Sequence, residues 1–326
     1  MNENFTYKDY YFWIFFLVIF SSGFVLFKTP FEFYFHYFIL ITLIPILFFK
    51  YGAPKFLVKL LLVPLVVGLI HISFGNNQVF TFIKVIGGLT ITLYFFWAWV
   101  SLFRSDIYKL FYWYCMSCWV LILIAVLQII SFFIGFNFGY DYSWVLNKWG
   151  FVEGGLVGFR VNSILSEPTY LATALAPAIY VSVNNFISKK NYIFNKFQSI
   201  IIVIVTLLTT SSIGYLGILI SILLCTQTIR IRYISFGIII SAFTFNLAYN
   251  NVEDFRSRVD AAKGLWIYDD YGITNTNNSS FVLFNNLHVA KENLKRNPIF
   301  GTGLGSHETA FKKFTLTKTL FPYDFE

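Results

Sequence analysis

The sequence predicts an all-α protein, a polytopic bundle of transmembrane helices with one large periplasmic loop, and three observations carry that prediction. Of 326 residues, 57% are hydrophobic and only 12% are charged, whereas a soluble domain carries about twice that share of charge. The mean hydropathy is +0.66, and the apolar residues are gathered into runs suited to a hydrocarbon core, which takes about 20 helical residues to cross. The net charge of +8 sits largely in short segments between those runs. That is the pattern of membrane orientation, and no nucleic-acid partner is expected.

Met1–Tyr10 carries Lys8, and the run behind it lacks the small-residue cleavage site of a signal peptide, so it is expected to remain as the first span. The runs are Tyr11–Phe27, Phe33–Phe49, Phe56–Phe74, Val79–Phe103, Leu110–Phe136, Pro168–Ile187, Phe197–Thr228 and Tyr233–Tyr249. Phe197–Thr228 is too long for one ordinary span and short for two. Lys189, Lys190 and Lys196 precede it and Arg230 and Arg232 follow it, so one crossing would put basic clusters on both sides of the membrane. Two crossings put both clusters inside. Thr209-Thr210-Ser211-Ser212-Ile213-Gly214 supplies the turn, with hydroxyls and a glycine that satisfy or relax backbone.

Nine spans over residues 1–249 follow, with a cytoplasmic N-terminus. The inner loops then carry ten basic residues, Lys50, Lys55, Lys59, Arg104, Lys109, Lys189, Lys190, Lys196, Arg230 and Arg232, against Lys28, Lys148 and Arg160 outside. His36, His71 and Lys84 fall toward the outer ends of the second, third and fourth helices, where such groups sit at headgroup level. Cys115, Cys118 and Cys225 lie inside apolar runs, and the C-x-x-C of the first two has no second pair or nearby His. They read as packing residues, and neither a metal nor a cofactor is expected.

Two outer segments are too long to be turns, one at about 137–163 and the other, the large loop, at 250–326. Within the second, Phe281, Phe284, Leu287, Ala290 and Leu294 recur at helical spacing over Ser279–Asn297, and Asn297-Pro298 ends the helix. Arg256, Arg258 and Lys263 are balanced there by Glu253, Asp254, Asp260, Asp269 and Asp270, an ordinary solvated surface for most of them.

The first candidate constellation runs from Arg160 and Asn162 to Ser166-Glu167-Pro168 at the outer mouth of the sixth run. Ser166 is the expected N-cap, with Pro168 in the first turn and Glu167 where a helix N-terminus favours a carboxylate. A guanidinium's fork of donors suits phosphate oxygens. The same residues also read as a capped helix with Arg160 as a headgroup anchor. The second constellation is Arg296-Asn297-Pro298-Ile299-Phe300-Gly301-Thr302-Gly303-Leu304-Gly305-Ser306-His307, whose alternate glycines let backbone approach a ligand or a helix. It is not G-x-G-x-x-G and follows no strand, so a dinucleotide site is not expected.

An Arg and a Glu-Pro before a mid-chain helix, a Ser/Gly turn between two helices, and an outer loop ending in Asn-Pro-x-x-Gly-x-Gly-x-Gly together resemble the Wzy-type O-antigen polymerases and the related O-antigen ligases. The motifs cover about Arg160–Tyr170, Thr209–Gly217 and Asn285–Glu308. The resemblance implies a glycosyltransferase of the bacterial inner membrane, polymerising undecaprenyl-pyrophosphate-linked oligosaccharide repeat units at the periplasmic face, with a chain-length regulator and a flippase as pathway partners. It implies a pyrophosphate clamp at Arg160 with Arg256 or Arg258, and acceptor activation at Glu167 or His307. Asn162 would bind substrate, and Gly301, Gly303 and Gly305 would position the loop. Two departures stand out. Ser211-Ser212-Ile213-Gly214 occupies the place of the family's Ser-Arg-Gly, and the chain stops at Phe321-Pro322-Tyr323-Asp324-Phe325-Glu326 where members continue, so a truncated chain is expected. The alternatives are an O-antigen ligase acting on lipid A–core and, from another class, a transporter or flippase, which would show broken helices near the midplane.

Overall fold

A computed structural model of the chain describes residues 7–21, 23–28, 32–103, 105–146, 151–225, 242–243, 245–247, 249–251, 253–268, 278–299 and 301–316. Arg104, Lys148, Arg230, Arg232, most of the run Tyr233–Tyr249 and the final Phe321–Glu326 lie outside the described residues. The chain is mostly helical, and it divides into two compact units, residues 1–51 with 97–234, and residues 52–96 with 235–326.

The first unit opens with α1 (Tyr7–Phe20), a ribbon of β1 (Val25–Phe27) and β2 (Phe33–Tyr34) in antiparallel register, and α2 (Phe35–Tyr51). It takes up again at the end of α4 (Val79–Leu102) and continues through α5 (Ile107–Phe133), the short α6 (Asn137–Tyr140), α7 (Pro168–Ala174), α8 (Ala176–Ser188), α9 (Lys196–Leu208) and α10 (Ser212–Leu224). Helix α8 packs on α9 and α10, and α5 covers α9. Small side chains bring these helices close. A Cβ on Gly214 would meet Thr206 Cγ2 at 3.2 Å and Ala172 Cβ at 3.3 Å.

The break expected near residue 210 is present. Asn195 starts α9 with a capping box, its Oδ1 accepting from Gln198 N at 2.8 Å while Gln198 Oε1 accepts from Asn195 N at 2.9 Å. Thr209 to Ser211 then turn the chain into α10. The arms are antiparallel, because the base of α9 and the end of α10 both reach the end of α8. Asn185 Nδ2 donates to Ser199 Oγ at 3.1 Å, and Cys225 Sγ lies 3.8 Å from Asn184 Oδ1. Each arm has 13 residues, or about 20 Å of helix. That is short of a hydrocarbon core of about 30 Å.

Among the described residues, three helices are long and apolar enough to cross a membrane, namely α3 (Lys55–Ser73), α4 and α5. Helices α7 and α8 would make a fourth span if counted together, but they meet at 57°. Pro177 in the first turn of α8 cannot continue the hydrogen-bond ladder, and the Ala174 carbonyl beside the bend accepts from Tyr114 Oη at 2.9 Å and Cys118 Sγ at 3.4 Å.

In the second unit α3 and the first part of α4 are antiparallel. Tyr94 Oη donates to Gly52 O at 3.0 Å near one end, and Gly68 lies against the Phe82 ring near the other. The unit also holds α11 (Glu253–Ile267), α12 (Asn278–Arg296) and α13 (His307–Phe314). Trp266 of α11 meets Phe284 of α12 edge-on at 5.1 Å. The helix expected over Ser279–Asn297 is present as α12, and spacing alone does not give its buried face. Phe281, Asn285 and Val289 are buried, while Leu287, Ala290 and Leu294 are exposed. Asn285 sets this rotation, its Nδ2 donating to Thr315 Oγ1 at 3.0 Å and its Oδ1 accepting from Leu316 N at 2.9 Å.

Candidate functional site

The first constellation is organised by a residue the sequence reading passed over, Gln128 of α5. It is fully buried, and a buried amide is costly unless its donors and acceptor are all engaged. Its Nε2 donates to Tyr140 O and to Asn162 Oδ1, both at 2.9 Å, and its Oε1 accepts from Ser163 N at 3.0 Å and Asn162 N at 3.4 Å. Asn162 Nδ2 closes the turn on Leu165 O at 2.7 Å, and Ser163, with φ of 53°, donates from Oγ to Leu121 O at 2.9 Å. The signal that could have found Gln128 is a lone amide in the apolar run Leu127-Gln128-Ile129-Ile130. Asn162, expected at the substrate, is fully buried with its side chain engaged in this scaffold.

Residues 152–160 form a small hairpin, with Glu153 bridged to Phe159 and Arg160 N donating to Val152 O at 2.9 Å. Phe159 anchors it in an aromatic cluster, 4.7 Å from the Phe132 ring and 5.8 Å from Phe151. Arg160 is thereby delivered, half-buried, to the tip of the α9–α10 hairpin. Its Nε donates to Thr210 Oγ1 at 3.0 Å and Thr209 O at 3.3 Å, and its Nη2 to Thr210 O at 3.3 Å. The guanidinium neutralises the negative end of α9, whose last carbonyls have no partner in the helix. One edge of its fork is thus engaged by the protein itself.

Glu167, not Ser166, is the N-cap of α7. It has extended backbone at φ −143° and ψ 149°, and Pro168 takes the first helical position. Ser166 is buried instead. The Glu167 side chain does not cap the helix, is half-buried, and accepts no hydrogen bond among the described residues. Ser211 Oγ lies 3.5 Å from Thr169 Oγ1, so the start of α7 and the hairpin tip are neighbours. The first unit therefore brings Arg160 to Thr209 and Thr210 at the end of α9, with Ser211 beside Thr169, two residues after Glu167.

In the second unit the glycine segment is a docking device. Gly301, Gly303 and Gly305 have φ of 59°, 83° and 83°. A Cβ on Gly303 would come 3.0 Å from Gly68 Cα of α3, and one on Gly305 would come 3.1 Å from Phe82 Cα of α4. Asn77 Nδ2 donates to Leu304 O at 2.7 Å, and Thr302 links Asn293 to Ser306 at 2.9 and 2.7 Å. The groove beside it, about 370 Å³, is lined by Val63, Pro64 and Val67 with Asn293 and residues 301–304 and 306. His307 begins α13, exposed, its ring 5.8 Å from Phe311. Arg256 is exposed on α11, and the Arg258 side chain lies outside the described residues. No metal-binding cluster occurs among the described residues. The chain matches no family model, no curated protein and no solved structure.

Proposed function

We propose that the protein is a bacterial inner-membrane glycosyltransferase that polymerises undecaprenyl-pyrophosphate-linked oligosaccharide repeat units at the periplasmic face. One observation carries this reading: Arg160 brings a guanidinium to Thr209 and Thr210, directly before Ser211-Ser212-Ile213-Gly214, which in this chain stands where the polymerases it resembles carry Ser-Arg-Gly. In the reaction a hydroxyl at the non-reducing end of the incoming repeat unit attacks the anomeric carbon of the growing chain. The bond from that carbon to pyrophosphate breaks, and the carrier pyrophosphate leaves with the electron pair. Glu167 accepts the hydroxyl proton, and Arg160 stabilises the charge developing on the leaving group. Arg256, Arg258 and His307 are proposed for donor and acceptor handling, and Gly301, Gly303 and Gly305 for loop placement. The lipid bilayer, a chain-length regulator and a flippase are the proposed partners.

The test is the polysaccharide of cells lacking the gene. Single repeat units on lipid A–core are expected, whereas polymer accumulating on the carrier lipid would assign the protein to the ligases. A transporter is the second reading, favoured by the 57° break between α7 and α8 and by the 13-residue arms of α9 and α10. Purified protein that moves lipid-linked repeats across a vesicle without joining them would establish it.

A further inference from the structure

Helix α12 has two apolar faces, and only one is used by the fold. Phe281, Asn285 and Val289 face inward, while Leu283, Leu287, Ala290 and Leu294 form a narrow exposed stripe on the opposite side, with Leu283 58%, Leu287 52% and Leu294 50% exposed. Ile299, just beyond the helix, is 80% exposed. Exposed Lys291 flanks the stripe, and beside it Lys295 pairs with Glu292 at 2.6 Å.

The same unit says what covers that stripe. The C-terminal end of α12 is tied through Asn293 and Thr302 to the glycine segment, and Gly303 rests on Gly68 of α3. Helix α3 is one of those long and apolar enough to cross a membrane, and its sides, including Leu62, Val66 and Leu69, are exposed. Gly68 is five residues before the end of α3 at Ser73, or about 7.5 Å of helix. That matches the roughly 5–10 Å at which an interfacial helix buries its apolar face. Phe82, which receives Gly305, is likewise in the first turn of α4.

We infer that α12 is an interfacial helix, lying on the bilayer with Leu283, Leu287, Leu294 and Ile299 in the headgroup–acyl boundary and Lys291 reaching toward lipid phosphate. The occupant of the stripe is lipid, and a protein partner is the outcome that would displace the idea. The inference needs a membrane but not the proposed reaction, so its failure and the failure of the polymerase reading are distinguishable.

The test uses the full chain in nanodiscs of phosphatidylethanolamine and phosphatidylglycerol. Cys115, Cys118 and Cys225 are buried, so an environment-sensitive maleimide dye reports on an introduced thiol at Leu287→Cys or Leu294→Cys, with exposed Glu308→Cys as the aqueous reference. Loss of dye emission with lipids spin-labelled near the glycerol, together with protection from aqueous iodide, is expected at both stripe positions. Quenching by iodide alone would mean the stripe faces water, and quenching by neither would mean protein covers it. Either result overturns the inference, and agreement between the two sites guards against a local effect of one substitution.

Discussion

The loop of residues 151–167 and the loop of residues 297–306 hold the two candidate constellations, and they are fastened by different physics. The first is held by hydrogen bonds, with Gln128 gripping Asn162 and Ser163 and Arg160 gripping the α9–α10 tip. The second is held largely by the absence of side chains, since Gly303 and Gly305 lie against helix backbone at distances no Cβ could share comfortably. Polar fastening in an apolar surrounding must be complete, because each orphaned group is costly. Steric fastening must be close. In the first loop the fold engages the amides and Arg160 alike, and the Glu167 side chain accepts no hydrogen bond among the described residues; in the second the motif backbone is what the fold engages, while His307 stays exposed.

The largest effect is expected where the polar fastening is cut. Gln128→Leu keeps much of the volume but orphans Asn162 N, Ser163 N and Tyr140 O, at about 1–3 kcal/mol for each buried group left unpaired. A large drop in thermal unfolding temperature in detergent, with loss of polymer, is expected. A near-neutral result would mean that the turn does not depend on Gln128.

The steric fastening should give way next. Gly303→Val meets a left-handed backbone cost of about 1–2 kcal/mol and an overpacking cost of about 1–3 kcal/mol. Residues 278–316 should become sensitive to protease. At Gly301 the nearest atom to an added Cβ is Asn293 Nδ2 at 3.9 Å, so Gly301→Ala carries only the backbone cost. Equal losses from the two would remove close approach from the argument.

How much of this was legible in the sequence follows from the same contrast. Helices α3, α4 and α5 and the break near residue 210 announce themselves through run length, charge and turn residues. The bend at Pro177 does not, because a proline in an apolar run is compatible with a continuous span. Alternate glycines predict close approach without naming the partner, and Gly68 and Phe82 lie more than two hundred residues away in the chain. Gln128 carries no charge to mark it in the sequence, yet a buried amide must still engage its donors and acceptor. The helix over Ser279–Asn297 is legible from spacing, but its buried face is not, because Phe281, Phe284 and Leu287 satisfy helical spacing while the buried Asn285 sets the rotation.

A smaller effect, and one that bears on chemistry, is expected at Arg160. Lysine keeps the charge but lacks the fork that serves Thr209 and Thr210. The lost charge-assisted contacts are worth on the order of 1.5–3 kcal/mol, or about ten- to a hundredfold in turnover if felt in the transition state. Arg160→Lys should therefore shorten polymer strongly. Thr210→Val removes one acceptor, Oγ1, and leaves the guanidinium in place, so it should shorten polymer far less. Matching losses would mean that Arg160 acts only by holding the hairpin tip.

The smallest structural effect is expected at His307. Its ring is exposed and lies tilted against Phe311 at 5.8 Å, and its position at the start of α13 needs no side-chain cap. Changes at such surface positions stay within about 0.5 kcal/mol. His307→Ala should therefore leave protein abundance and unfolding temperature unchanged, which makes it the cleanest probe of function in the second unit. If the imidazole handles the acceptor hydroxyl, polymer falls at constant abundance and the loss grows as acceptor is diluted. His307→Gln, which keeps a hydrogen-bonding side chain but cannot act as a base near neutral pH, then divides orientation from proton transfer. Recovery with Gln would assign orientation, and failure to recover would assign the proton. Full chain length from His307→Ala in a complementation gel would instead remove His307 from the proposed chemistry and leave acceptor activation to Glu167.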